Sequence, residues 1–225
     1  MRAMPQARLA ASILSADFAH LADQVKAVEE YADIIHVDSM DGHFVPPLTI
    51  GPVVVASLRP VTDRLLHAHL MVERPERLLE DYAKAGTDMV TFHTEAARDP
   101  AAVITEAETL DLRVGMGVNP ETEVEAVYPY LERLDNVIVM TLERTGYAGQ
   151  PFQEQQLRKV EAVRGQIDRA GLRVDVVVDG GIDVDSAPRC IEAGATVLAA
   201  ASSVFGHPDP AEAARRLATI AKGGS

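Results

Sequence analysis

Eight short runs rich in Val, Ile and Leu recur along the chain, separated by longer stretches of helical period, and no other feature restricts the fold as much. The candidate strands are Leu9 to Leu14, Ile34 to Asp38, Leu65 to Leu70, Met89 to His93, Arg113 to Val118, Asn136 to Thr141, Arg173 to Asp179 and Thr196 to Ala200. Helical readings between and after them include Ala19 to Tyr31, Pro75 to Ala85, Glu121 to Leu134, Gln153 to Ala170, Asp185 to Ala193 and Pro210 to Ala221. Arg74-Pro75 and Asp209-Pro210 put proline near a first helical turn, where its missing N–H does no harm. Strands returned by crossover helices are parallel, and a parallel sheet must be covered on both faces. Eight units of roughly 28 residues each predict a (β/α)8 TIM barrel. An open doubly wound sheet is the alternative, but no G-x-G-x-x-G follows the first strand. No linker or charge block divides the chain, so the expectation is one domain over residues 1–225, with loose tails at Met1 to Ala7 and Gly223 to Ser225.

Composition excludes several classes of function. Hydrophobic residues at 47% and charged residues at 24% are the proportions of a folded soluble protein and rule out a disordered or collagen-like chain. With 34 acids against 21 bases the net charge is −13, a field that repels nucleic-acid phosphates. No apolar run approaches the roughly 18 residues of a membrane span. The lone cysteine, Cys190, has no intramolecular partner and reads as a small buried hydrophobe on a helix. The first twenty residues lack the order of a secretory signal, so a cytoplasmic protein is expected.

In a barrel of this kind chemistry sits at the carboxyl ends of the strands. Four runs end or pass through polar residues: His36 and Asp38 on the second, His67 and His69 on the third, His93 on the fourth, and Asp179-Gly180-Gly181 after the seventh. Alternation places His36 and Asp38 on one face of their strand, and likewise His67 and His69. Any one of these histidines could be a core residue satisfied by its neighbours. Two acids with several histidines at one barrel mouth read instead as a metal site or an acid–base site. Imidazole and carboxylate without thiolate suit zinc, manganese, iron or cobalt. Strands two and seven are well separated around the ring, so Asp38 and Asp179 are expected to face each other across the mouth. A carbon held between them, acidified by an adjacent carbonyl, would lose a proton on one face and regain it on the other, with a metal stabilising the enediolate.

The four lysines, Lys26, Lys84, Lys159 and Lys222, fall on helices or in the tail, so a Schiff-base mechanism has no nucleophile at a strand end. Three late segments have the glycine and small-residue character of a phosphate cradle: Gly146-Tyr147-Ala148-Gly149-Gln150, Gly180-Gly181 and Ala201-Ser202-Ser203. Each alone reads equally well as a tight turn. Met40, Met71 and Met140 stand beside the same strand ends, as core filler or as a soft, polarizable lining.

These motifs resemble the ribulose-phosphate 3-epimerase family over nearly the whole chain. The resemblance runs from Ser12-Ile-Leu-Ser-Ala-Asp-Phe18 through His36-Val-Asp-Ser-Met-Asp-Gly-His-Phe-Val-Pro46, His69-Leu-Met-Val72 and Val178-Asp-Gly-Gly-Ile182 to Ser202-Ser-Val-Phe-Gly206. It implies a barrel that interconverts D-ribulose 5-phosphate and D-xylulose 5-phosphate. It implies one divalent metal on His36, Asp38, His69 and Asp179, with Asp38 and Asp179 doubling as the acid–base pair. Ser12 and His69 would contact substrate, the three methionines would line the enediolate, and the glycine segments would hold the phosphate. The resemblance also implies a homo-oligomer, a dimer or hexamer. A related epimerase of ketohexose 6-phosphates shares the Gly-Tyr-Ala-Gly-Gln-Pro-Phe segment, which keeps a six-carbon sugar open, as is a binding protein without turnover. Departures from the family pattern are His67 for the usual aspartate, Pro47 for asparagine and Ser39 for an apolar residue, all expected near the metal. On the phosphate side, Ala148 and Ala201 stand where glycine is common, and Glu143-Arg-Thr145 is one residue longer than usual. His67 is expected to be either a partner of a metal ligand or an extra ligand.

Overall fold

Parallel strands cannot be joined by hairpins, and in the computed structural model, which describes residues 6–224, each is returned by a helical crossover. The strands are β1 (Arg8–Ser12), β2 (Ile34–Met40), β3 (Leu65–Met71), β4 (Met89–His93), β5 (Arg113–Val118), β6 (Asn136–Met140), β7 (Asp175–Asp179) and β8 (Val197–Ala200). They pair in chain order, all parallel, and β8 closes on β1 to complete the barrel. The longest register joins β2 to β3, with His36 opposite His67, Asp38 opposite His69 and Met40 opposite Met71.

The outer ring is α1 (Leu21–Val28), α2 (Pro52–Leu58), α3 (Leu79–Lys84), α4 (Pro100–Thr109), α5 (Leu157–Ala170), α6 (Ala187–Glu192), α7 (Ser202–Phe205) and α8 (Pro210–Ala221). Two helices are held at the start as their sequences suggest. Asp99 and Asp209 accept the N–H of Ala102 and Glu212, and Pro100 and Pro210 follow them in the first turn. The expected helix at Glu121 to Leu134 is instead a run of 3-10 turns over Val124–Arg133. Pro129 lies inside it, supplying no N–H and crowding the carbonyl four residues back, so the α ladder does not form. The expected loose tails need correction as well. Ala7 is buried and its N–H donates to the Ala221 carbonyl at 2.7 Å, while Gly223 and Gly224 donate back to Ile220 and Thr219. Met1 to Pro5 and Ser225 lie outside the described residues.

Alternation along each strand sorts the side chains into two cores. Outward residues such as Leu9, Val37, Leu66, Leu70, Phe92, Val139, Val178 and Leu198 pack under the helices. Inward residues divide again. Ala10, Ile34, Ile138, Met140, Val177, Val197 and Ala199 form an apolar half of the barrel interior. His36, His67 and His69, with Thr91, His93 and Asn136, form a polar half in which every side chain is buried. Barrel interiors are normally filled by branched aliphatics, so this polar half needs room and partners. Strand β5 gives the room with two inward glycines. A methyl on Gly117 would lie 3.3 Å from His93 Nε2, and one on Gly115 would lie 2.3 Å from Asn136 Nδ2.

Two glycine substitutions should therefore act in opposite directions. Gly115→Ala is expected to destabilise the fold by about 1–3 kcal/mol, because the methyl displaces a buried amide. Gly165→Ala, within α5 and facing only the far end of Arg169, is expected to stabilise it by about 0.5–1 kcal/mol. Urea denaturation of the two variants beside the unaltered chain checks both signs.

Candidate metal centre and active site

β2 and β7 reach the centre from different sides of the ring, with β1 and β8 between them on the shorter path. Their carboxylates nevertheless meet. His36 Nε2 lies 3.3 Å from Asp38 Oδ1 and 3.6 Å from Asp179 Oδ2. His69 Nδ1 lies 3.0 Å from Asp38 Oδ1 and 3.1 Å from Asp179 Oδ2. One ligand atom from each of the four residues fits within 4.8 Å of the others. A divalent ion with nitrogen and oxygen ligands at about 2.0–2.2 Å sets neighbouring ligands about 3.0–3.5 Å apart, close to these separations. His36 Nε2 is also a buried nitrogen without a hydrogen-bond partner, aimed at two carboxylates. The donor set fits a single divalent cation.

The electrostatics point the same way. Burial opposes a charge on His36, but Asp38 and Asp179 outweigh it and raise its pKa to about 10. His69 is raised as well, again against burial, by hydrogen bonds to Asp179 and Asp38. For Asp38 burial favours the acid, yet His36 and His69 hold its carboxyl well below the usual range. Asp179 is lowered against both burial and the neighbouring Asp38 charge, by the same two imidazoles. Protons on the histidines thus occupy the space between the acids until a cation replaces them.

His67 is not a fifth ligand. Its Nδ1 lies behind His36, 3.2 Å from His36 Nδ1, and its Nε2 meets Thr91 Oγ1 at 2.7 Å. Burial and the charges on His36 and His69 push its pKa well below the ordinary value, so it stays neutral. His93 stands behind His69 in the same way, with Nε2 2.9 Å from His69 Nε2 and Nδ1 facing Glu95 at 3.4 Å. Burial works against a charge on Glu95, yet His93, Thr122 and the Asn119 N–H bring its pKa down to about 2.

Above the centre lies an open cavity of about 460 Å³. Asp38 and Asp179 are in its wall, with Met40, Met71 and Met140 beside them. Its rim brings together Gly146, Tyr147, Ala148, Gly149, Gly180, Gly181, Ala201 and Ser202, all three segments expected to form a cradle. Gly181 has φ +68°, and a methyl there would lie 2.5 Å from the Phe152 nitrogen, so only glycine fits this turn. Ser12 lies deeper. Its hydroxyl donates to Asp38 Oδ2 at 2.5 Å and accepts the Leu14 N–H.

Other expectations resolve around this cavity. Ser39 is not near the metal centre: it points outward from β2, and the Tyr82 hydroxyl of α3 donates to it. Pro47 lies against Gly146, on the rim. Lys159 is buried, but its ammonium donates to the carbonyls of Asn119 and Pro120 and does not line the cavity. Cys190 is buried under α6, which pushes its thiol up to about 12. The sequence reading missed Thr91, Asn136, Glu95 and the two glycines of β5. Inward parity on β4, β5 and β6 was the available signal.

Acids and imidazoles gathered at the strand ends of a closed parallel barrel define an enzyme of the (β/α)8 class, acting from the carboxyl face of its strands. Sequence comparison narrows the class. The chain belongs to the ribulose-phosphate 3-epimerase family, whose profile matches residues 8–205. It is 43% identical over 204 residues to the ribulose-phosphate 3-epimerase of Bacillus subtilis, covering 90% of this chain and 94% of that protein. It is 44% identical over 209 residues to the Mycobacterium tuberculosis protein of the same name, covering 93% and 90%. Among solved structures, the 3-hexulose-6-phosphate synthase from Salmonella typhimurium superposes with a TM-score of 0.73 at 17% identity, covering 97% of this chain and all of that one (100%), a likeness of fold alone. No described helix is long and apolar enough to cross a membrane.

Because His36 is protonated in the metal-free chain below about pH 10, metal uptake must release its proton. Zinc affinity is expected to rise by about tenfold per pH unit between pH 7 and 9. Titration calorimetry in buffers of different ionisation enthalpy should show at least one proton released per ion, and pH-independent affinity would contradict the charge assigned to His36.

Proposed function

We propose that this chain inverts carbon 3 of a ketose phosphate, interconverting D-ribulose 5-phosphate and D-xylulose 5-phosphate by two-base proton transfer through an enediolate. The observation that carries the reading is the meeting of Asp38 and Asp179 in the wall of one cavity whose rim is backbone-rich and small. The family membership supports the same reaction.

His36 Nε2, His69 Nδ1 and one oxygen each from Asp38 and Asp179 would hold one divalent ion, zinc, manganese, iron or cobalt. Bound there, it supplies Lewis-acid stabilisation of the charge that develops on the substrate oxygen. The remaining chemistry belongs to side chains. One aspartate takes the carbon-3 proton from one face, and the other, entering as the acid, returns a proton to the opposite face. The pair ends with its protonation exchanged, ready for the reverse reaction. Ser12 donates to Asp38 Oδ2, which favours the ionised form and fixes its direction, in addition to the substrate contact that the resemblance assigns to it. His69 sits between the two acids, fully buried behind the cavity wall, and the substrate contact is the one that the resemblance assigns to it. Met40, Met71 and Met140 exclude water from the enediolate.

Among the described residues no lysine or arginine lines the cavity, so a phosphate would be met by backbone N–H groups of Gly146 to Gly149, Gly180, Gly181, Ala201 and Ser202. In a chain of net charge −13 that attraction acts only at close range. A phosphorylated ketose is the partner in this reading. Assembly into a dimer or hexamer of identical chains rests on the resemblance.

Asp38→Asn and Asp179→Asn should each lower turnover by about 10²–10⁴-fold or more while leaving the fold intact, because each removes a proton carrier. Ser12→Ala should be milder. The measurement is proton NMR in D₂O with metal-loaded protein and D-ribulose 5-phosphate, following deuterium at carbon 3 and the xylulose epimer. Retained activity in both asparagine variants would sink the two-base mechanism, and an absence of carbon-3 exchange in the unaltered protein would sink the substrate.

A further inference from the structure

The two imidazoles that face Asp38 and Asp179 are each backed by a second imidazole, and the two backings end differently. Behind His69, His93 leads to the Glu95 carboxylate. Behind His36, His67 leads through Thr91 to Asn136, with Thr91 Oγ1 2.9 Å from Asn136 Oδ1. His36, His67, Thr91 and Asn136 are fully buried, so bulk water supplies no partner.

Hydrogen counting gives the second chain a direction. Asn136 turns Nδ2 to Met89 Sδ at 3.1 Å, which leaves Oδ1 toward Thr91. A carbonyl oxygen only accepts, so the single Thr91 hydroxyl hydrogen goes to Asn136. Thr91 Oγ1 is then the acceptor of a hydrogen on His67 Nε2. Two ring nitrogens 3.2 Å apart share one hydrogen between them, and in a chain that binds a metal it cannot come from His67, because His36 would then carry its own hydrogen on Nε2 and offer the ion no lone pair. The hydrogen therefore sits on His36 Nδ1, and the His36 lone pair available to a metal is at Nε2.

We propose that His67, Thr91 and Asn136 form a one-way relay that holds His67 as the neutral Nε2–H tautomer and thereby keeps His36 Nδ1–H in place with Nε2 directed at the metal position. His67 is a positioning residue, acting through His36, and Thr91 and Asn136 act through His67. This deepens the metal-centre reading above and rests on it. It also makes the two imidazole ligands unequal. The His69 backing faces an anion across 3.4 Å, while the His36 backing ends on a neutral amide.

The test is ring-nitrogen NMR on the full chain carrying ¹⁵N-labelled histidine, metal-free and after addition of zinc. His67 is expected to carry hydrogen on Nε2 and none on Nδ1 in both states. Hydrogen on His67 Nδ1, alone or with Nε2, overturns the relay whatever zinc does. The expected tautomer in a chain that takes up no zinc supports the relay and sinks the metal reading instead, so the two failures are distinguishable. Thr91→Val keeps the side-chain shape and removes a hydroxyl that bonds none of the four ligand residues. It should weaken zinc binding by about 10–100-fold and change the His67 signals, and Thr91→Ser should restore both. Unchanged zinc affinity with unchanged His67 signals in Thr91→Val overturns the proposal. If that variant does not fold, the ring-nitrogen signals of the unaltered chain decide.

Discussion

A histidine enclosed in a barrel must find a partner for each ring nitrogen, because no water reaches it. Four inward histidines on three adjacent strands multiply that demand, and the structure meets it by pairing them: His36 with His67, and His69 with His93. Pairing consumes one nitrogen of each front ring and leaves the other facing Asp38 and Asp179. Of the back rings, His67 is met by Thr91 at hydrogen-bond distance, while His93 turns its Nδ1 toward the Glu95 carboxylate 3.4 Å away. The volume all this occupies is compensated on β5, where Gly115 and Gly117 contribute no side chain to the interior. The apolar half of the barrel, with Ile138, Val177 and Val197, then packs without polar neighbours to accommodate.

The same arrangement explains how two carboxylates lie so close in a buried place. Repulsion and burial both act against their ionisation, and two imidazoles between them reverse the balance. Protons and a metal ion are alternative occupants of one negative pocket. The two acids are not equivalent, however. Asp38 is held by a serine hydroxyl and sits deeper, whereas the side chain of Asp179 is 15% exposed, compared with 4% for Asp38. That difference gives the two sides of the cavity floor different surroundings.

Much of this was legible in the chain. All eight strands lie within about two residues of their sequence reading, because apolar runs bounded by turns are a strong signal for buried parallel strands. The acids and histidines at their ends follow from the same pattern. Parity placed His67 and His69 on one face, but depth along the strand decides which is a ligand, and depth depends on register with β2. Ser39 shows the opposite lesson: alternation from Asp38 already turns it outward, toward Tyr82, although its place in the motif suggested the metal. The relay residues were hidden because a threonine and an asparagine inside apolar strands become informative only once three strands are aligned. α2 and α4 are not among the helical readings; in α2, Pro52-Val-Val-Val55 carries β-branched residues of low helix propensity, and tertiary packing of Val55 and Leu58 overrides that preference.

The Glu143 to Gln150 segment is tied mainly to itself and to a neighbouring loop. The Gln150 amide clamps the backbone of Arg144 and Tyr147, the Arg144 guanidinium lies over the Tyr147 ring, and Thr145 reaches Asn119. None of these contacts touches the histidines or the acids, which are fastened to strands. The glycine-rich rim and the floor of acids and histidines are therefore held by separate sets of polar contacts. A change of length or residue in this segment can reshape the mouth of the cavity while the acids and histidines below keep their geometry, so a barrel built this way can vary its rim without rebuilding its floor.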